Sequence, residues 1–249
     1  MKEILVEAGV PTARHGVFTE KEAAFDFLQN LSDLYVIKTD GLAAGKGVLV
    51  TSDLAEAKQS VSDYLSGKAF GTAGKRIVIE EGLTGPEISL LAVCDGQTAV
   101  PLAPAQDFKR LKDQDEGPNT GGMGAYSPVP FLEENLVERI MDIAVIPTLE
   151  TLKRKGIDYR GVLYCGLMIT PDGPKVLEYN ARFGDPETQV VLPRLETDLV
   201  ELLLGAASGS LNSNPIFSNE AAVAVVCASE SYPKNSRTGD FIAGLSQVP

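Results

Sequence analysis

The stretch VIKTDGLAAGKGVLV, Val36 to Val50, decides how this chain is read. A β-branched run, Tyr35 to Thr39, enters a loop of small residues, and a second run leaves it from Gly47. Glycine-rich backbone between two strands presents N–H groups, and Lys38 and Lys46 add positive charge, a combination that suits a polyphosphate. The spacing is not that of a P-loop. Only three residues separate Gly41 from Gly45-Lys46, Gly47 stands where Ser or Thr would hold magnesium, and a strand follows where a P-loop opens a helix. The segment reads as a hairpin flap that closes over a nucleotide; an ordinary glycine-rich turn is the alternative that these residues alone leave open.

The bulk composition limits what surrounds the flap. At 249 residues and 44% hydrophobic content the chain can bury a full core, as one large α/β domain or two to three small ones. Its net charge of −12 argues against nonspecific nucleic-acid or anionic-membrane binding, though not against a local phosphate site. Cys94, Cys165 and Cys227 are far apart, form no CxxC pair and each lie in an apolar strand-like run. They are expected to be buried free thiols in a reducing compartment. The N-terminus is too short and too acidic for a signal peptide, and no apolar stretch approaches the ~18 residues of a membrane span. A soluble, cytoplasmic protein is the expectation.

MKEILVEAG, residues 1 to 9, reads as a helix fragment ended by Gly9. Thr19 with Glu22, and Asp53 with Glu56, are capping-box patterns that open two more helices. A strand is expected over 76 to 83, then a hairpin with Asp95-Gly96 at its tip. Residues 105 to 130 lack periodicity and read as one long functional loop. A helix from Glu133 to Lys155 kinks at Pro147, VLYCGLMIT and KVLEYN form a hairpin, and Asp198 with Glu201 caps a last helix. Beyond a polar linker, AAVAVVCAS reads as a fresh buried strand. Hairpins outnumber helices, so the fold class is α+β and not a βαβ Rossmann sheet.

Three further segments carry chemistry. Alternate residues of a strand share a face, so Glu178 and Asn180 point the same way, roughly 7 Å apart. A carboxylate with an amide oxygen suits magnesium that takes its other ligands from phosphates and water. Arg182 beside it can stabilise charge on a transferring phosphoryl group. The acids closing VIEEGLTGPEIS could border a base: Glu80, Glu81 and Leu83 at an extended backbone edge, with Glu87 near a ribose. Exposed acids in a turn are the alternative. In the long loop, Asp107, Lys109 and Arg110 precede four glycines within 117 to 124, where Asn119, Thr120, Gly121 and Gly122 permit close approach of a small polar ligand. His15, the only histidine, is expected to be solvated.

Taken in order, GLAAGKG, IEE-x-L, DFKR, GPNTGGMGAYSP and E-x-N-x-RFGDPETQ resemble phosphoribosylamine–glycine ligase (glycinamide ribonucleotide synthetase) of the ATP-grasp superfamily. The resemblance covers nearly the whole chain and implies an ATP-grasp fold. It implies that Lys38 and the flap residues Gly41, Gly45, Lys46 and Gly47 bind ATP phosphates, and that Glu80, Glu81 and Leu83 line the adenine while Glu87 meets the ribose. Glu178 and Asn180 would hold Mg2+ or Mn2+. Asp107, Lys109, Arg110, the 117 to 124 loop, Arg182 and Asp185 would face glycine, 5-phosphoribosylamine or the acyl phosphate, with Arg182 and Lys46 acting in catalysis. The implied reaction activates glycine as glycyl phosphate and then transfers the glycyl group to the amine, mainly by positioning and charge neutralisation.

This chain departs from the family in reading Phe108 where DHKR is usual. By that resemblance the chain is expected to be a fragment lacking most of the family's N-terminal domain and most of the C-terminal one. The expected division is therefore an N-terminal remnant (1–11), a lid carrying the flap (12–75), a core subdomain (76–212), and a linker with the start of a C-terminal domain (213–249). The other readings are a nucleotide-binding fragment without turnover and a different ATP-grasp carboxylate–amine ligase.

Overall fold

A computed structural model of the chain describes residues 1–41, 43, 47–212 and 214–247. Helix α1 (Lys2–Glu7) leads into strand β1 (His15–Phe18), helix α2 (Lys21–Gln29), the hairpin strands β2 (Tyr35–Thr39) and β3 (Val48–Thr51), helix α3 (Leu54–Leu65) and strand β4 (Ile77–Glu81). The four strands form one antiparallel sheet in the order β1-β4-β2-β3. Period-two alternation puts Ile37, Ile77 and Ile79 on one face, where Ala24 and Leu28 of α2 and Ala57 and Val61 of α3 cover them. Fully burying each such isoleucine or leucine contributes about 1.5–3 kcal/mol. Asp53 caps α3 by accepting from Ala55 N at 2.7 Å.

The second body follows in chain order: β5 (Glu87–Asp95), β6 (Ala99–Pro101), β7 (Gln106–Asp107), β8 (Arg110–Lys112), β9 (Glu116–Asn119), β10 (Gly124–Ser127), α4 (Leu136–Ile140), a π-helical turn Met141–Val145, α5 (Ile146–Arg154), β11 (Arg160–Thr170), β12 (Gly173–Asn180), α6 (Thr188–Val191), α7 (Leu199–Ser208) and β13 (Ala222–Val225). Its main sheet is antiparallel, ordered β12-β11-β5-β6. Both faces of β5 and β11 are covered, which explains their unbroken apolar runs. Leu90, Cys94, Leu163 and Cys165 face Leu5 of α1 and the α4–α5 stretch. Leu91, Val93 and Val162 face Val190, Val191, Leu202 and Ala206 of α6 and α7.

Several expectations are corrected. β4 pairs with β1 and β2, so 77–81 belongs to the lid sheet and the sequence boundary at 75/76 falls too early. Residues 1–11, expected as an N-terminal remnant, pack on the core body: Leu5 is fully buried in the main core, and Val176 N donates to Pro11 O at 2.8 Å. Within 105–130, β10 pairs with β7 on one side and with β13 on the other in a second sheet, and β8 and β9 form a hairpin. Such two- to four-residue strands are too short to show a period. β13 is only half covered, with Val223 and Val225 exposed, and Cys227 is exposed, unlike buried Cys94 and Cys165. Glu20 occupies the N-cap of α2 with no side-chain bond, so the box anticipated from Thr19 is not made. His15 sits within β1, its Nδ1 3.0 Å from Ala13 O. Among the described residues no helix is long and apolar enough to cross a membrane.

Candidate active site

The two bodies meet at a cleft of about 1360 Å³. The lid contributes Lys38, Val48 and Val50 from the β2–β3 hairpin and Glu80 from β4; the core contributes Glu178 and Asn180 from β12. The β2–β3 hairpin strands and the Glu178/Asn180 edge of β12 therefore border one cavity. Glu81, Leu83, Glu87, Arg182 and Asp185 also line it, as do Asp107, Lys109, Arg110, Asn119, Thr120 and Gly121. Gly41, Gly47 and Gly122 do not line it, and Gly45 and Lys46 lie outside the described residues.

The three glycines have packing reasons of their own. A Cβ at Gly41 would meet the Ala73 Cα at 2.6 Å, and one at Gly47 would collide with Thr39 Oγ1. Gly122 has φ +125°, and a Cβ there would strike Pro186 Cδ.

Glu80 is not the exposed turn acid that its sequence context allowed. It is 2% exposed. Its Oε1 lies 3.0 Å from Lys38 Nζ and its Oε2 2.9 Å from Lys2 Nζ. A carboxylate is driven this far from water only with such counter-charges. The backbone edge expected to meet a base is also narrower than the sequence suggested. Glu81 N donates to Arg14 O at 2.9 Å and Gly82 N to Leu34 O at 2.7 Å, so Leu83 is the first residue past the paired portion.

On β12, Asn180 Nδ2 donates to Glu178 Oε1 at 3.2 Å, so the two side chains share one spot as the alternation required. No group of three or more His, Cys, Asp or Glu side chains able to hold a metal occurs among the described residues. One carboxylate and one amide oxygen fit a hard divalent ion that draws its remaining ligands from phosphate and water.

Between Glu87 and the Glu178/Asn180 edge of β12 lies a polar cluster that sequence reasoning found only in part. Lys109 Nζ is 2.9 Å from Asp107 Oδ1 and 3.1 Å from Glu87 Oε2. Burial works against charge on Lys109, but the negative groups around it (Tyr164 when ionised, Asp107 and Glu87) more than reverse this and raise its pKa. Ser89 Oγ donates to Glu187 Oε1 at 2.9 Å and pairs with Tyr164 OH at 2.9 Å. Arg182 stands over the Tyr164 ring, 5.9 Å from its centroid. Burial pushes the Tyr164 phenol above its ordinary range. Ser89, Tyr164 and Glu187 were not singled out from sequence. Glu187 sits inside the quoted RFGDPETQ motif, whereas Ser89 and Tyr164 are hidden in apolar runs.

The glycine run is held in place. Thr120 N and Oγ1 donate to Lys109 O at 2.7 and 3.0 Å, Gly122 N donates to Thr120 Oγ1 at 3.0 Å, and Gly121 N to Tyr232 OH at 3.1 Å. Arg110 Nη1 is spent on Gly117 O at 2.8 Å. Asp185 Oδ1 accepts from Gln189 Nε2 at 2.7 Å.

A family model described as the phosphoribosylglycinamide synthetase ATP-grasp (A) domain matches residues 1–188. The chain belongs to the phosphoribosylglycinamide synthetase ATP-grasp family. A phosphoribosylamine–glycine ligase of Caulobacter vibrioides is 51% identical over 245 residues, which are 98% of this chain and 57% of the relative. The crystal structure of a phosphoribosylamine–glycine ligase from Thermotoga maritima superposes with a TM-score of 0.88 at 36% identity, covering 95% of this chain and 60% of that one. The biotin carboxylase domain of Hydrogenobacter thermophilus 2-oxoglutarate carboxylase, solved with MgADP and bicarbonate, shares the fold at TM-score 0.69 and 18% identity, with coverage of 89% and 48%. The chain thus spans less than two thirds of the phosphoribosylglycinamide synthetase relatives it matches. In ATP-grasp terms, β1–β4 with α2 and α3 form the lid, and the β12-β11-β5-β6 sheet forms the floor.

Proposed function

We propose that this chain is the nucleotide-binding and catalytic portion of a phosphoribosylamine–glycine ligase, joining glycine to 5-phosphoribosylamine with conversion of ATP to ADP and phosphate in purine biosynthesis. The observation that carries the reading is the single cleft bordered by Lys38 and Glu80 on one side and by Glu178 and Asn180 on the other. A triphosphate between them would place its base against Glu80, Glu81 and Leu83, its ribose against Glu87, and its phosphates between Lys38 and β12. Gly45 and Lys46 of the flap belong to the same proposal. Glu178 and Asn180 would hold Mg2+ or Mn2+, which when bound neutralises phosphate charge.

The glycine carboxylate attacks the γ-phosphorus, the bond to the ADP oxygen breaks, and glycyl phosphate forms. The phosphoribosylamine nitrogen then attacks the acyl carbon, phosphate leaves, and the nitrogen loses a proton. Arg182 offers a guanidinium to the transferring phosphoryl oxygens. Lys109, held charged by Asp107 and Glu87, supplies a second fixed cation, and Asp185 and the 117–124 loop border the acceptor side. The chain provides placement and counter-charge and needs no protein nucleophile. A reducing, cytoplasmic setting belongs to the same proposal, supported by three free thiols.

Incubation with MgATP, glycine and 5-phosphoribosylamine, followed by ADP and product assays, tests this. The expected result is ADP formation that needs both co-substrates. The second reading is a nucleotide-binding chain without turnover; MgATP binding without product supports it over the ligase. ADP formation driven by another acid in place of glycine would point to a different ATP-grasp carboxylate–amine ligase.

A further inference from the structure

Lys2 is 5% exposed and does not line the cleft, yet its ammonium is spent on a residue that does. Nζ lies 2.9 Å from Glu80 Oε2 and donates to Thr12 Oγ1 at 2.6 Å; the Thr12 hydroxyl in turn donates to Val176 O of β12 at 2.6 Å. Helix α1 delivers Lys2 from the core body, with Leu5 of the same helix fully buried there. Glu80 belongs to the lid sheet. The bond therefore fixes a lid carboxylate from the core side.

The charges are unequal. Two ammonium groups, Lys2 and Lys38, meet one carboxylate. The Lys38 side chain is 24% exposed and borders the cleft, whereas Lys2 is enclosed. Glu80 Oε1 is buried, and although Lys38 Nζ is 3.0 Å away, no donor is aligned to form a hydrogen bond with it among the described residues. A buried acceptor without an aligned donor is costly, so the site favours a ligand that brings an N–H.

We propose that Lys2 is a positioning residue for purine selection: it neutralises Glu80 from behind, leaving Glu80 Oε1 to accept from the exocyclic amine of a 6-aminopurine and leaving the Lys38 ammonium for phosphate. This rests on the nucleotide reading above. A 6-oxopurine presents an acceptor at the same place and faces the carboxylate unfavourably. Without Lys2, Lys38 becomes the sole counter-ion of Glu80, and both base selection and phosphate attraction weaken.

The test is titration calorimetry of the full chain with MgATP and, separately, with the magnesium complex of inosine triphosphate, which differs at the 6-position. The unaltered protein is expected to bind ATP about tenfold or more tightly than the inosine nucleotide, as befits one directional hydrogen bond. Lys2→Met is expected to weaken ATP binding about tenfold and to shrink the preference to about threefold or less, while Lys2→Arg recovers part of it. Because Lys2 acts through Glu80, adding Lys2→Met to Glu80→Gln leaves the preference of the Glu80→Gln protein unchanged. That double variant leaves no unpaired charge at positions 2 and 80 and carries the test if Lys2→Met alone does not fold. An unchanged preference in folded Lys2→Met, or a further loss in the double variant, overturns the role given to Lys2. An unaltered protein that binds neither nucleotide overturns the nucleotide reading itself.

Discussion

Gly166 of β11 stands directly across from Glu178 of β12, and a Cβ at position 166 would lie 3.2 Å from Glu178 Cγ. The register shifts between Gly166 and Leu167, so the carboxylate rests over a residue without a side chain. Gly166→Val is expected to displace Glu178 and weaken Mg2+-dependent nucleotide binding by about tenfold or more, as misplaced ligands do. The melting temperature is expected to move much less. Calorimetry at varied Mg2+ checks this, and unchanged metal dependence would remove Gly166 from the site.

Lys109 is the counter-charge of Asp107, whose side chain is only 3% exposed. Lys109→Met leaves that carboxylate uncompensated. Because the Lys109 side chain is 35% exposed, the expected loss is about 1–2 kcal/mol, below the range for a fully enclosed pair. Denaturant unfolding measures the loss, and Lys109→Met with Asp107→Asn should recover most of it. The single variant should also lose most turnover in the two-substrate assay while retaining MgATP binding.

The thiols make a pH prediction. Burial, helped by Asp95, pushes Cys94 up to about 12 from an ordinary value of 9.0, and burial also raises Cys165. A group whose folded pKa is raised stabilises the fold fully below its unfolded pKa and loses that contribution as pH climbs toward the folded one. Stability is therefore expected to fall between about pH 9 and pH 12. At pH 8 a thiol reagent should label exposed Cys227 rapidly and Cys94 and Cys165 only upon unfolding. Three equally fast thiols would contradict the core packing described.

Arg194 ties the segment after α7 to the core. It is 8% exposed and donates to Ser127 Oγ at 2.5 Å, Glu220 O at 2.7 Å and Ser218 O at 2.9 Å. Arg194→Met strands these acceptors and should cost about 2–4 kcal/mol. Hydrogen exchange should show earliest loss of protection at 216–225, where β13 pairs with β10.

How much of this was legible in the sequence depends on the kind of signal. Alternation placed Glu178 and Asn180 on one face, Asp198 caps α7 as its spacing implied, and the VLYCGLMIT–KVLEYN hairpin pairs directly. These are local signals, carried by period and capping. The pairing of β4 with β1 and β2 is nonlocal, and nothing in RIVIEE distinguishes a lid strand from a core strand. The short strands within 105–130 owe their form to partners such as β13, about a hundred residues downstream. Lys2 was not singled out from the sequence, because a single lysine on a terminal helix carries no local signal. Its partner Glu80 is brought to it only by the tertiary fold.

The most direct measurement of the central claim is a crystal structure with Mg2+ and a nonhydrolysable ATP analogue. The expected result is one nucleotide in the cleft, its base beside Glu80 and Leu83, Lys38 at its phosphates, and the metal bound by Glu178 and Asn180 at about 2.1 Å. A nucleotide bound away from either edge, or a metal held without Glu178 and Asn180, would contradict it.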